Sequence, residues 1–197
     1  MSDTPRDSSS HPKRRARLRL GAVIAVAVAI GFVVWLVAGN SDEDDGGGAT
    51  TTAAAEAIPA RAATRAEIGA LARSLDYPIY WAGPLPNRTY ELTRTRSGRV
   101  YIRYLPRDVE VGDPSPRHLT VGTYPQANGY AALQAAAREP ETVSRTAAGG
   151  ALIVYNRESP RSVYFSFPRA RFQVEVFSPN PRRARNLTYS GRIQRVR

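Results

Sequence analysis

Asp108, Glu110 and Asp113 stand within one short stretch, Arg107-Asp-Val-Glu-Val-Gly-Asp-Pro, and Glu91 lies upstream of them. Carboxylates so grouped could supply the acid and base of a glycan hydrolase, which needs two at a defined separation. They could also ligate calcium, but the stretch lacks the alternating oxygen-ligand pattern and closing glutamate of a calcium loop. Nearby Arg103, Arg107 and Arg117 are instead expected to pair with these acids.

Other catalytic chemistry has little to work with. The chain has no cysteine and two histidines, His11 and His118. Thiolate catalysis, iron–sulfur clusters and sulfur-ligated or multi-histidine metal sites are therefore excluded. His118 opens a run with alternating apolar residues, which predicts a structural role at a strand end. No G-x-S-x-G elbow accompanies it, and no glycine-rich phosphate loop occurs, because Gly149-Gly150 separates two strand patterns and reads as a turn. The expectation is a protein with no catalytic residue, metal or cofactor.

What stands above background is arginine. The chain has 197 residues, with 28 Lys and Arg against 17 Asp and Glu, a formal net charge of +11 and a pI near 10.6. Only Lys13 is a lysine, so part of the arginine content reflects composition. The charge is unevenly placed. Residues 1–38 carry +4 and residues 39–60 carry −5, while 61–197 hold 22 arginines against ten acids, or +12.

Two arginine clusters are predicted to bind anions. Arg94 and Arg96 end one strand of a hairpin, and Arg99 and Arg103 share a face of the next with Tyr101. Arg182, Arg183 and Arg185 start the last helix, where the helix dipole adds positive potential. Guanidinium groups suit phosphate and carboxylate through paired hydrogen bonds.

The N-terminal half decides which anions are at hand. Leu20 to Ala38 is 19 residues without charge, and at 1.5 Å per residue it spans about 28 Å, the thickness of a bilayer core. Basic residues precede it and none follows until Arg61. The positive-inside rule then places the N-terminus in the cytoplasm and everything after the segment outside. A cleavable signal peptide ending at Val37-Ala38-Gly39 is the competing reading, and it exports the same domain. Gly21, Ala25 and Ala29 recur every fourth residue, a small-residue face suited to helix packing in a membrane.

The organisation expected is a disordered basic tail over 1–19, a transmembrane helix over 20–38, a flexible acidic linker over 39–60 and an extracytoplasmic α+β domain over 61–197. The linker, about 20 residues, has an r.m.s. span of roughly 25 Å.

Within the domain, Thr64-Arg-Ala-Glu67 is a capping box for a first helix to about Ser74. Tyr77 to Trp81 reads as a short strand. Tyr90 to Arg96 and Arg99 to Leu105 alternate around Ser97-Gly98 as a hairpin. His118 to Tyr124 is a strand and Ala127 to Glu139 a helix. Strands at 142–147, 151–156, 162–167 and 171–177 follow, and Asn180-Pro181 opens a last helix that Gly191 ends. This predicts an antiparallel sheet of about seven strands with three helices. The element order resembles that of PsbP-like envelope domains and of the sensory domains that follow single membrane helices in some anti-sigma proteins. The likeness lies in order alone and assigns no residue a role.

The function expected is that of a single-pass cell-membrane protein whose non-catalytic outer domain binds an anionic lipid surface, a wall polymer or a membrane protein partner. Nucleic acid is excluded by the compartment. The alternatives are a wall-glycan enzyme using carboxylates among Glu91, Asp108, Glu110 and Asp113, and an accessory subunit that pairs through Gly21, Ala25 and Ala29.

Overall fold

The computed structural model describes residues 56–197. The basic tail, the apolar segment with Gly21, Ala25 and Ala29, and most of the acidic stretch lie outside the described residues. Among those described, no helix is long and apolar enough to cross a membrane.

The chain runs through β1 (Ile58–Ala63), α1 (Arg65–Ser74), β2 (Tyr80–Trp81), β3 (Arg88–Arg94), β4 (Val100–Pro106), β5 (Leu119–Pro125), α2 (Gly129–Ala136), β6 (Thr142–Thr146), β7 (Leu152–Asn156), β8 (Ser162–Ser166), β9 (Phe172–Phe177), α3 (Pro181–Tyr189) and β10 (Gln194–Arg195). Eight strands form one antiparallel sheet in the order β1-β3-β4-β5-β9-β8-β7-β6, and β2 pairs separately with β10. Two hairpin-linked meanders, β3-β4-β5 and β6-β7-β8-β9, meet where β5 pairs with β9. The α+β class, the large antiparallel sheet and the three helices are as expected. The boundary at residue 61 falls inside β1, and the sheet has eight strands where about seven were expected.

The period of two sorts each strand into two faces. Leu92, Ile102, Val121, Val163, Val174 and Val176 form one face, packed with Ile68 of α1, Ala184 and Leu187 of α3, and Ile79, Ile193 and Val196 around the β2–β10 pair. Tyr80 sits edge-on to Phe165 at 5.5 Å and against Phe167 and Phe172. Tyr80, half-buried, is therefore packed against the main core. On the opposite face α2 lays Leu133 and Ala136 against Val154 and Tyr164. A Cβ on Gly129 would lie 2.7 Å from the carbonyl oxygen of Phe172, so α2 approaches β9 this closely only because its first residue has no side chain.

The capping box forms as the sequence implies. Thr64 Oγ1 accepts from the Glu67 amide at 3.2 Å, and Glu67 Oε2 accepts from the Thr64 amide at 2.7 Å. The Thr64 amide, the Thr64 hydroxyl donating to Glu67 Oε2 at 2.8 Å and Arg61 at 2.7 Å hold the Glu67 carboxyl at a pKa of about 2. Thr64→Ala should cost roughly 0.5–2 kcal/mol, measured as a lower urea midpoint at unchanged slope.

Candidate functional site

The last helix carries exposed positive charge and contains no acid to neutralise it. Asn180 Oδ1 accepts from the Arg182 amide at 3.0 Å and Pro181 occupies the first helical position, so the helix starts where predicted. Ala184, Leu187 and Thr188 face inward. The 3.6-residue period then turns Arg182, Arg183, Asn186 and Ser190 outward.

The helix ends in a Schellman motif. Gly191, at φ 69°, donates its amide to Thr188, and Arg192 donates its amide to the Leu187 carbonyl at 3.1 Å. That turn brings Arg192 back beside the helix. Arg182, Arg183 and Arg192 line one open groove of about 620 Å³, with Leu85 and Leu187 as its apolar part and Asn180, Asn186 and Ser190 adding amides and a hydroxyl.

No carboxylate lines the groove, and α3 contains none. The three ion pairs among the described residues are Arg61–Glu67, Arg103–Glu91 and His118–Asp113, so Arg182, Arg183 and Arg192 have no acidic partner there. Two unpaired guanidinium groups at the helix N-terminus and a third just past its C-terminal cap, lining one groove with an apolar wall, can hold a multiply charged anion through bidentate hydrogen bonds. Arg185 turns elsewhere. Its guanidinium lies 5.2 Å from the Tyr155 ring centroid, a cation–π contact that ties α3 to β7.

The hairpin arginines do not come together. Arg94 continues the Leu92 face and its Nε is buried without a partner, while Arg96 is exposed in the turn. On the other face Arg99 lies 5.7 Å over the Tyr124 ring. Arg103 is locked in place. Its Nη1 donates to Glu91 Oε1 at 2.5 Å, and its Nη2 donates to the carbonyls of Asp113 at 2.8 Å and Ser115 at 3.1 Å. Arg103 therefore organises the 107–118 loop through backbone oxygens and Glu91, where pairing with the loop's own acids was expected.

The acidic set is likewise divided. Glu91 is 1% exposed and also accepts from the Gly112 amide at 2.5 Å. Asp113 accepts from the Ser115 amide at 2.8 Å and faces His118 Nε2 at 3.0 Å. The Ser115 amide and then His118 lower its pKa. His118, 8% exposed, lies just before β5, at the strand end where the sequence places it. Asp108 and Glu110 line a shallow hollow of about 460 Å³ in the loop. No cluster of three or more metal-ligating side chains occurs among the described residues.

One polar centre was not anticipated. Glu175 of β9 is 3% exposed on the face opposite the main core. It accepts hydrogen bonds from Tyr124, from Ser162 at 2.6 Å and from Tyr164 at 3.1 Å. Burial raises its pKa, and the hydroxyl donors oppose that rise. Tyr124 reaches across because Gly122 lies opposite Glu175 in the β5–β9 register. A Cβ there would stand 2.8 Å from the Tyr124 hydroxyl.

No protein-family model, curated protein or solved structure matches this chain. The groove on α3 is therefore read from its own geometry.

Proposed function

We propose that the protein is a membrane-anchored envelope protein whose outer, non-catalytic domain binds an anionic surface, polymer or protein partner through the groove on α3. The observation that carries this reading is the convergence of Arg182, Arg183 and Arg192 on one groove without a carboxylate. Charges on a folded surface are normally interspersed with their opposites or screened, so three unpaired arginines around a concave surface favour an external counter-charge. The N-terminal apolar segment and its basic flank support export and tethering, which limits the available anions to lipid head groups, wall polymers and acidic proteins.

The hairpin arginines have a smaller part in this reading. Arg103 is consumed by Glu91, Arg99 rests on Tyr124, and Arg96 alone is exposed. Of the carboxylates considered for glycan hydrolysis, Glu91 and Asp113 are held by structural partners. No observation favours an enzyme over a binding domain.

The test is co-sedimentation of residues 56–197 with anionic vesicles, neutral vesicles and phosphate-bearing wall polymer at low and high salt. Arg182→Gln/Arg183→Gln/Arg192→Gln should weaken binding about a hundredfold at low salt, given about 1 kcal/mol for each arginine at an anionic surface. It should also flatten the salt dependence. Equal binding by wild type and the triple variant would remove the groove from the function.

A further inference from the structure

We propose that the α3 groove has an occupant within this same chain, the acidic run Asp42-Glu43-Asp44-Asp45, which docks on Arg182, Arg183 and Arg192 and competes with any outside anion. The proposal shares the groove with the proposed function but requires no external ligand.

Charge complementarity is the first argument. Residues 39–60 hold five acids and no base, four of the acids being consecutive. The groove presents three arginines and no acid. Asp42 to Asp45 is the longest run of consecutive acids in the sequence.

Length is the second. Arg182 and Arg183 stand at one end of α3 and Arg192 just past the other, and nine helical residues rise roughly 13 Å. An extended run of four residues covers roughly 10–13 Å. A run of that length matches the distance from Arg182 and Arg183 to Arg192.

Reach is the third. Ten residues, or eleven chain steps, lie between Asp45 and Glu56, where the described chain begins. Extended, they span up to roughly 37 Å. A compact domain of this size has a radius of gyration of roughly 14 Å, so a tether of that length is comparable to its full width. A short tether holds the acids at an effective concentration in the millimolar range, which allows weak exposed ion pairs to populate a docked state. The docked state masks the arginines, and a more highly charged surface displaces it.

Because the chain has no cysteine, introduced pairs report proximity cleanly. In the full-length protein in zwitterionic nanodiscs, Ser41→Cys is combined with Asn186→Cys or with Ser190→Cys, both exposed positions on the groove. The comparison is Ser41→Cys with Ser97→Cys, an exposed turn residue close to where β1 joins the sheet opposite Arg94. Tethering alone favours Ser97. The proposal expects intramolecular disulfide at both groove positions at least threefold faster than at Ser97. It also expects that preference to vanish at high salt and after Asp42→Asn/Glu43→Gln/Asp44→Asn/Asp45→Asn. Trapping equal to or below that at Ser97, or groove trapping that survives neutralisation, overturns it. Failure of the vesicle test with residues 56–197, which lack the acidic run, would instead bear on the external ligand alone.

Discussion

Arg103→Ala should cost about 3–5 kcal/mol of stability while leaving salt-dependent anion binding at its wild-type level wherever the domain stays folded. Glu91 is the reason. Its side chain is 1% exposed, and Arg103 supplies the one positive charge against it at 2.5 Å. Removing the guanidinium leaves a desolvated carboxylate with only the Gly112 amide, and it frees the carbonyls of Asp113 and Ser115 that hold the 107–118 loop. Arg103→Lys should recover only part of the loss, because an ammonium cannot reach a carboxylate and two carbonyls with the geometry of a planar fork. Arg103→Met combined with Glu91→Leu should be less damaging than Arg103→Ala alone, since no charge is then left unpaired. Guanidinium midpoints of the four proteins decide this. A single variant as stable as wild type would mean that Glu91 is not held by Arg103, and a folded variant with lost binding would return Arg103 to the anion site.

The reassignment of Arg103 was within reach of the sequence. Ser97 is the centre of the hairpin, and Glu91 and Arg103 each lie six residues from it, so the register Glu91↔Arg103 follows from the turn. Face alternation alone groups Arg103 with Arg99 and Tyr101, and that grouping is correct. The charge partner appears only when the opposite strand is aligned. Arg192 was legible in a similar way, since a glycine after a helix implies a left-handed cap that folds the next residue back along it.

β1 was harder to see. Ile58-Pro-Ala-Arg-Ala-Ala has little strand character, and Pro59 argues against a ladder. The strand survives because it lies at the sheet edge, with its pairing to β3 irregular between Ile58 and Arg61, where the missing amide hydrogen is least costly. Glu175 had no local signal at all. Phe172, Val174 and Val176 correctly mark one buried face of β9, and alternation would leave Gln173 and Glu175 to solvent. They are buried because α2, Tyr101 and Tyr124 cover the second face, and their contacts come from strands remote in sequence.

That buried carboxyl makes stability depend on pH in a direction opposite to Glu67 and Asp113. An unfolded glutamate titrates near 4.5, and in the folded protein burial raises Glu175 above that value. Between the two, the native state holds a proton that the unfolded chain releases, so stability is full below about 4.5 and falls as pH rises through the raised value. Glu67 and Asp113 act oppositely, because their lowered values remove stability as pH falls. The groups facing Glu175 are the Tyr124, Tyr164 and Ser162 hydroxyls, with Tyr101 and Arg99 beyond them. Since burial raises Tyr124 and Tyr164 well above the ordinary tyrosine value, neither adds a charge change near neutrality. Glu175→Gln preserves the shape and an acceptor but cannot titrate, so the decline in Tm as pH rises above about 4.5 should flatten relative to wild type. Glu175→Ala should be far worse at every pH. It strips the acceptor from Tyr124 and Ser162 and opens a cavity, and buried donors so deprived cost about 1–3 kcal/mol each. Taken together these amount to a Tm loss of roughly 10 °C. Thermal unfolding of the three proteins across that range is the measurement. A Gln variant with an undiminished slope would place the titrating group elsewhere, and an Ala variant close to wild type would mean that the hydroxyls find other acceptors.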